Sequence, residues 1–114
     1  MFKIYHNPRC RKSRAGLQYL MDKGIEPEVI EYLKNSLSEA ELKDILVRLN
    51  MKPREIIRTQ EVVYKSDFKG KQFTDDEWVK ILIENPRLIQ RPIVVKAYKA
   101  VIGDPVDNIE TLIT

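Results

Sequence analysis

The chain has 114 residues, enough for one domain that buries a core without disulfides or a structural metal. With 43% hydrophobic and 32% charged residues it is no disordered chain, and no apolar run approaches the length of a membrane span. The net charge of +3 is too mild to indicate a nucleic-acid surface, and one cysteine with one histidine rules out an internal disulfide and a cysteine-rich metal site.

Phe2 to Tyr5 reads as a short strand, closed by the turn signal Asn7-Pro8. This start lacks the long apolar stretch of a secretory signal, so the default expectation is a cytoplasmic location with no membrane partner. A helix is predicted from about Cys10–Ser13, with Ala15, Leu17, Leu20 and Met21 as its apolar positions and Gly24 as its stop. Glu28 to Leu33 alternates as a strand does. Ser38 with Glu41 is a capping box for the next helix, whose buried stripe is Leu42, Ile45, Leu46 and Leu49.

After Pro53 a short helical stretch is predicted over Arg54 to Arg58, then a polar segment through Gly70. Thr74 and Glu77 form a second capping box, with Trp78, Ile81 and Leu82 facing inward and Asn85-Pro86 ending the helix. Pro92-Ile93-Val94-Val95 is a continuous apolar run suited to a central strand, and Ala100 to Gly103 suits its hairpin partner. A final helix is expected over Val106 to Leu112. The order β-α-β, helices, β-β-α predicts an α/β fold: a mixed four-stranded sheet flanked by helices, thioredoxin-like, with a helical insertion before the last hairpin.

The only cysteine sits where chemistry is available. Cys10 falls at or just before the first turn of a helix, among Arg9, Arg11, Lys12 and Arg14. Free N–H groups and the positive end of the helix dipole stabilise a thiolate there and also bind an oxyanion. Such cysteines have pKa values lowered from about 8.5 to below about 7.5. The surrounding cations weigh against a cysteine that is merely a buried apolar side chain. Ser13 is placed to donate its hydroxyl to the thiolate or to the anion. His6 either hydrogen-bonds near Cys10 or caps the strand end.

At these residues the chain resembles the glutaredoxin-coupled arsenate reductase (ArsC-like) family. The family pattern Asn-Pro-x-Cys-x-x-Ser-Arg reads here Asn7-Pro8-Arg9-Cys10-Arg11-Lys12-Ser13-Arg14. The likeness continues at Glu26-Pro27, at Arg54 to Arg58, at Phe73-Thr74-Asp75-Asp76 and at Leu88 to Val95, nearly the whole chain. It implies a single ArsC-like domain over residues 1–114 in which Cys10 attacks arsenate, or another small oxyanion, to form a covalent adduct. Glutathione then displaces the adduct and glutaredoxin removes the glutathione as arsenite is released, with no bound cofactor. An external resolving thiol agrees with the single cysteine. The resemblance further implies that Arg58 and Arg91 bind the oxyanion beside Ser13 and Arg14, and that Arg91-Pro92 is a cis bond facing Cys10.

One departure stands out. Where the family usually carries a third arginine before a proline, this chain reads Gly103-Asp104-Pro105, and Lys96 or Lys99 are the cations expected to compensate. Two other readings therefore stand beside arsenate reduction. One is a glutathione-dependent reductase of mixed disulfides. The other is an RNA polymerase-binding regulator like the Spx proteins, disfavoured because Ser13 replaces the second cysteine of their redox switch.

Overall fold

The computed structural model describes residues 1–114. The chain divides into two compact units, one of residues 1–35 and 91–114, the other of residues 36–90.

The first unit is a mixed four-stranded sheet in the order β2-β1-β3-β4. Its strands are β1 (Phe2–Tyr5), β2 (Glu28–Ile30), β3 (Ile93–Lys96) and β4 (Lys99–Ile102). β1 runs parallel to β2, with Ile4 opposite Val29, and antiparallel to β3, with Ile4 opposite Val94. β3 and β4 form the antiparallel hairpin, with Val94 opposite Val101. The parallel pair requires a crossover, supplied by helix α1 (Arg11–Asp22). A last helix, α4 (Asp107–Ile113), follows β4. Ile4, Val94, Leu20, Ile109 and Leu112 form one buried cluster that joins β1, β3, α1 and α4. Each such side chain contributes about 1.5–3 kcal/mol on burial.

Two predicted features of this unit differ. β2 stops at Ile30 because the Lys34 and Asn35 N–H groups both donate to the Glu31 carbonyl at 3.0 Å, which turns the chain. The buried face of α1 is Ser13, Gly16 and Leu20, whereas Ala15 and Met21 are exposed. Gly16 is there for a close approach: a Cβ on it would stand 2.6 Å from Pro92 Cγ. Gly103 meets the same ring, with a Cβ placed 2.9 Å from Pro92 Cγ, and its N–H donates to the Pro92 carbonyl at 2.7 Å.

The second unit is the helical insertion. Helix α2 (Glu39–Leu49) and helix α3 (Asp75–Glu84) both begin with the predicted capping boxes, Ser38 with Glu41 and Thr74 with Glu77. The α2 stripe is buried as expected, but α3 buries Val79 with Trp78 and Leu82 while Ile81 is half-exposed. The predicted helix over 54–58 is a 3-10 turn over Pro53–Ile56. Ile57 instead bridges to Ile89, and the chain is stitched there by Arg58 N–H to the Leu88 carbonyl at 2.6 Å and Gln90 N–H to the Ile56 carbonyl at 2.9 Å. The polar segment before Gly70 holds a single π-helical turn, Tyr64–Phe68, and a 3-10 turn over Pro86–Leu88 follows α3. No helix is long and apolar enough to cross a membrane.

Candidate active site

Between β1 and α1 the chain is turned by Asn7. Its side-chain Oδ1 accepts the Arg9 N–H at 3.0 Å, and its carbonyl accepts the Cys10 N–H at 3.0 Å. Asparagine before proline suits this double use, because its short side chain mimics a backbone acceptor. The Arg14 N–H donates to the Cys10 carbonyl at 2.9 Å and opens α1. Arg14 also closes the loop, donating from Nη1 to the Pro8 carbonyl at 3.0 Å.

Cys10 is thereby the N-cap residue of α1, in extended conformation and only partly buried. Its side chain makes no ordinary cap hydrogen bond, and the first turn of α1 carries no acidic residue. Burial pushes the thiol pKa up, but the Ser13 N–H, the Arg91 guanidinium and the Lys12 N–H together outweigh it and hold the thiol below its ordinary value. Each of the three favours the charged form, two through the helix terminus and one through both a hydrogen bond and Coulomb attraction.

Behind the loop lies a buried polar pair. His6 and Ser13 are 5% and 0% exposed, and Ser13 Oγ lies 2.7 Å from His6 Nδ1 while accepting the Asn7 N–H at 2.9 Å. Burial lowers the His6 pKa, with Glu31 opposing and Arg14 adding to the shift, so the imidazole is neutral near pH 7. In either tautomer the Ser13 hydroxyl oxygen is held between His6 Nδ1 and the Asn7 N–H. The Ser13 hydroxyl is thus engaged inward, and it is the Ser13 backbone N–H that favours the Cys10 thiolate. His6 serves the strand end as well, donating its backbone N–H to the Ile30 carbonyl at 2.8 Å.

Arg91 is 9% exposed and leads into β3 through a cis Arg91–Pro92 bond, as expected; Asp104–Pro105 is also cis. The cation facing Asp104 is neither Lys96 nor Lys99 but Lys12, whose Nζ lies 3.1 Å from Asp104 Oδ2. Lys96 instead stands over the Phe2 ring at 5.1 Å, paired across the hairpin with Lys99. Arg58 belongs to the second unit, where its guanidinium Nη2 is 3.4 Å from Glu61 Oε2.

The structure therefore brings Cys10, Ser13, Arg14, Arg91 and His6 together around one loop, while Pro92 packs against Gly16 of α1 and Gly103. The free N–H groups expected at this helix start are those of Lys12 and Ser13. Sequence reasoning missed two contributors, the Lys12–Asp104 ion pair and the two glycines against Pro92, which have no local signal.

The pattern described as ArsC family matches residues 5–112. The uncharacterised Escherichia coli protein YfgD is 41% identical over 109 residues, covering 94% of this chain and 92% of its own length. An arsenate reductase of Neisseria meningitidis is 38% identical over 113 residues, 97% of each chain. The solved arsenate reductase from Vibrio cholerae superposes with a TM-score of 0.89 at 40% identity, over 96% of this chain and 95% of that one.

Proposed function

The chain belongs to the ArsC family, and on that premise we propose that it is a thiol-dependent arsenate reductase working with glutathione and glutaredoxin. The Cys10 thiolate attacks arsenic: a sulfur–arsenic bond forms, an arsenic–oxygen bond breaks, and the departing oxygen takes protons from solvent and leaves as water. A glutathione thiolate then attacks the Cys10 sulfur. The sulfur–arsenic bond breaks with its electron pair left on arsenic, so pentavalent arsenic is reduced to arsenite and a Cys10–glutathione disulfide remains. Glutaredoxin takes the glutathione and returns Cys10 as a thiolate.

The observation that carries this reading is Cys10 at the start of α1, with the Lys12 and Ser13 amides and the Arg91 guanidinium favouring its charge. The same donors suit a tetrahedral oxyanion, and a guanidinium fork stabilises the charge that develops on its oxygens. Arg14 acts through the loop it closes, and the family resemblance implies Arg58 as a second guanidinium for the oxyanion. The single cysteine requires the second thiol to come from outside.

Purified protein given arsenate, glutathione and glutaredoxin is expected to release arsenite, and Cys10→Ser is expected to release none. Absence of turnover by the intact protein would reject the substrate. Turnover supported equally by thioredoxin without glutathione would reject the proposed coupling alone. The Lys12–Asp104 pair favours a second reading, because it removes one cation from the oxyanion's surroundings: reduction of glutathione mixed disulfides, recognised by turnover of a glutathionylated substrate without arsenate.

A further inference from the structure

The second unit carries a pocket that the cysteine chemistry does not use. It encloses about 490 Å³, within the usual range for small-molecule sites, and all its lining residues lie between Arg54 and Trp78. Its apolar wall is aromatic. Phe73 and Trp78 meet edge to face with centroids 4.9 Å apart, and Phe68 stands 6.1 Å from each of them. Tyr64 adds a third ring to the lining from the first residue of the π-helical turn. Turns of that kind are uncommon and concentrate at functional sites.

The polar part of the lining is one-signed. Arg54 enters from the 3-10 turn after Pro53, and Lys71 from the bend after Gly70. Gly70 has φ +80°, and the Lys71 N–H donates to the Phe68 carbonyl at 3.1 Å, so the left-handed residue is what returns the chain to the aromatic wall. Thr59 lines the same space, and no acidic residue does. Neither the Arg54 nor the Lys71 side chain is in an ion pair, although the unit has ion pairs elsewhere, Lys43 with Asp76 at 3.1 Å among them. Three separate segments thus converge to offer two open cations against a face of rings.

We propose that this pocket binds a small aromatic carboxylate, its ring against the half-buried Phe73 and Tyr64 and its carboxylate on Arg54 and Lys71. Aromatic pairs favour such stacked or edge contacts, and a guanidinium fork matches a carboxylate's two oxygens. The site is separate from Cys10 in its residues and does not rest on the reading of the cysteine loop.

Trp78 is the only tryptophan, so its indole N–H gives one resonance that reports on the pocket. Titrating the intact protein with 2-naphthoate is expected to move that resonance saturably. Neutral 2-naphthylmethanol should bind far more weakly, and inorganic phosphate should not saturate it. Arg54→Gln and Lys71→Gln should each weaken naphthoate binding roughly tenfold, as loss of a charge-assisted hydrogen bond does. Both side chains are exposed, so the variants are expected to keep their unfolding midpoint, and either one alone suffices if the other unfolds. Cys10→Ser should leave the titration unchanged. No saturable shift, equal binding of the alcohol, or full affinity in the folded glutamine variants would overturn the proposal.

Discussion

Helices α1, α2 and α3 start in two different ways. α2 and α3 close their first turns with capping boxes, Ser38 with Glu41 and Thr74 with Glu77, and both place acidic residues there. α1 begins with Cys10, no ordinary cap bond and no acidic residue. The donors that α2 and α3 spend on their own stability are, in α1, left for a sulfur anion. A good oxygen cap is worth typically about 1 kcal/mol; in α1 the Ser13 and Lys12 N–H groups favour the Cys10 thiolate instead.

Breaking the α1 arrangement should have the largest effect. Cys10→Ser is expected to abolish arsenate turnover, a loss on the order of a thousandfold or more, as loss of a nucleophile gives. Yet serine is the better cap, so the same variant should unfold at a temperature no lower than the parent. A marked drop in its midpoint would mean that Cys10 is a packing residue. Next in size is Gly16→Ala, whose new methyl meets Pro92 Cγ; overpacking of this kind costs about 1–3 kcal/mol. Urea unfolding would measure it, and a neutral result would mean that the proline ring has room to give.

The capped helices supply the converse test. Ser38→Ala and Thr74→Ala should each lose about 1 kcal/mol of stability with no change in the alkylation rate of Cys10. A change in thiol reactivity would tie the caps to the site and spoil the contrast. The thiol itself can be read by pH. Because its folded pKa is depressed, alkylation should reach half its limiting rate below the pKa of a free thiol. Between the folded pKa and that value the unfolded chain holds the extra proton, so stability should rise with pH there and be lost as pH falls through the folded pKa. Arg91→Leu should move the alkylation midpoint back up. The smallest expected effect is at Asp104→Asn, which releases Lys12 and should tighten arsenate binding by about twofold to fivefold, the scale of an exposed ion pair. Unchanged affinity would show that Lys12 does not act on the oxyanion.

The elements that announce themselves locally were legible in the sequence. Both capping boxes, the strand pattern of Ile93 to Val95 and the placing of Cys10 at a helix start depend on neighbours within a few residues. What escaped depends on distant partners. Ala15 and Met21 look like the apolar positions of α1, but the face that is buried carries Ser13 and Gly16, one for His6 and Asn7, the other for the Pro92 ring. Hydropathy scores neither as core. The π-helical turn at Tyr64–Phe68 hid in a polar stretch, since its aromatic contacts run forward to Phe73 and Trp78. Lys12 as the partner of Asp104 joins the first helix to the chain after β4, a separation that no local pattern spans.

The two glycines that grip the Pro92 ring set a mechanical tolerance. With no side chain on either flank, the ring acts as a spacer between the helix that follows the sulfur, at Gly16, and the end of β4, at Gly103. Attempts to retune this loop for other chemistry, by exchanging Cys10 or its cationic neighbours, inherit that spacing unaltered. A single methyl added at Gly16 or Gly103 would instead shift the reacting groups relative to one another without touching any of them.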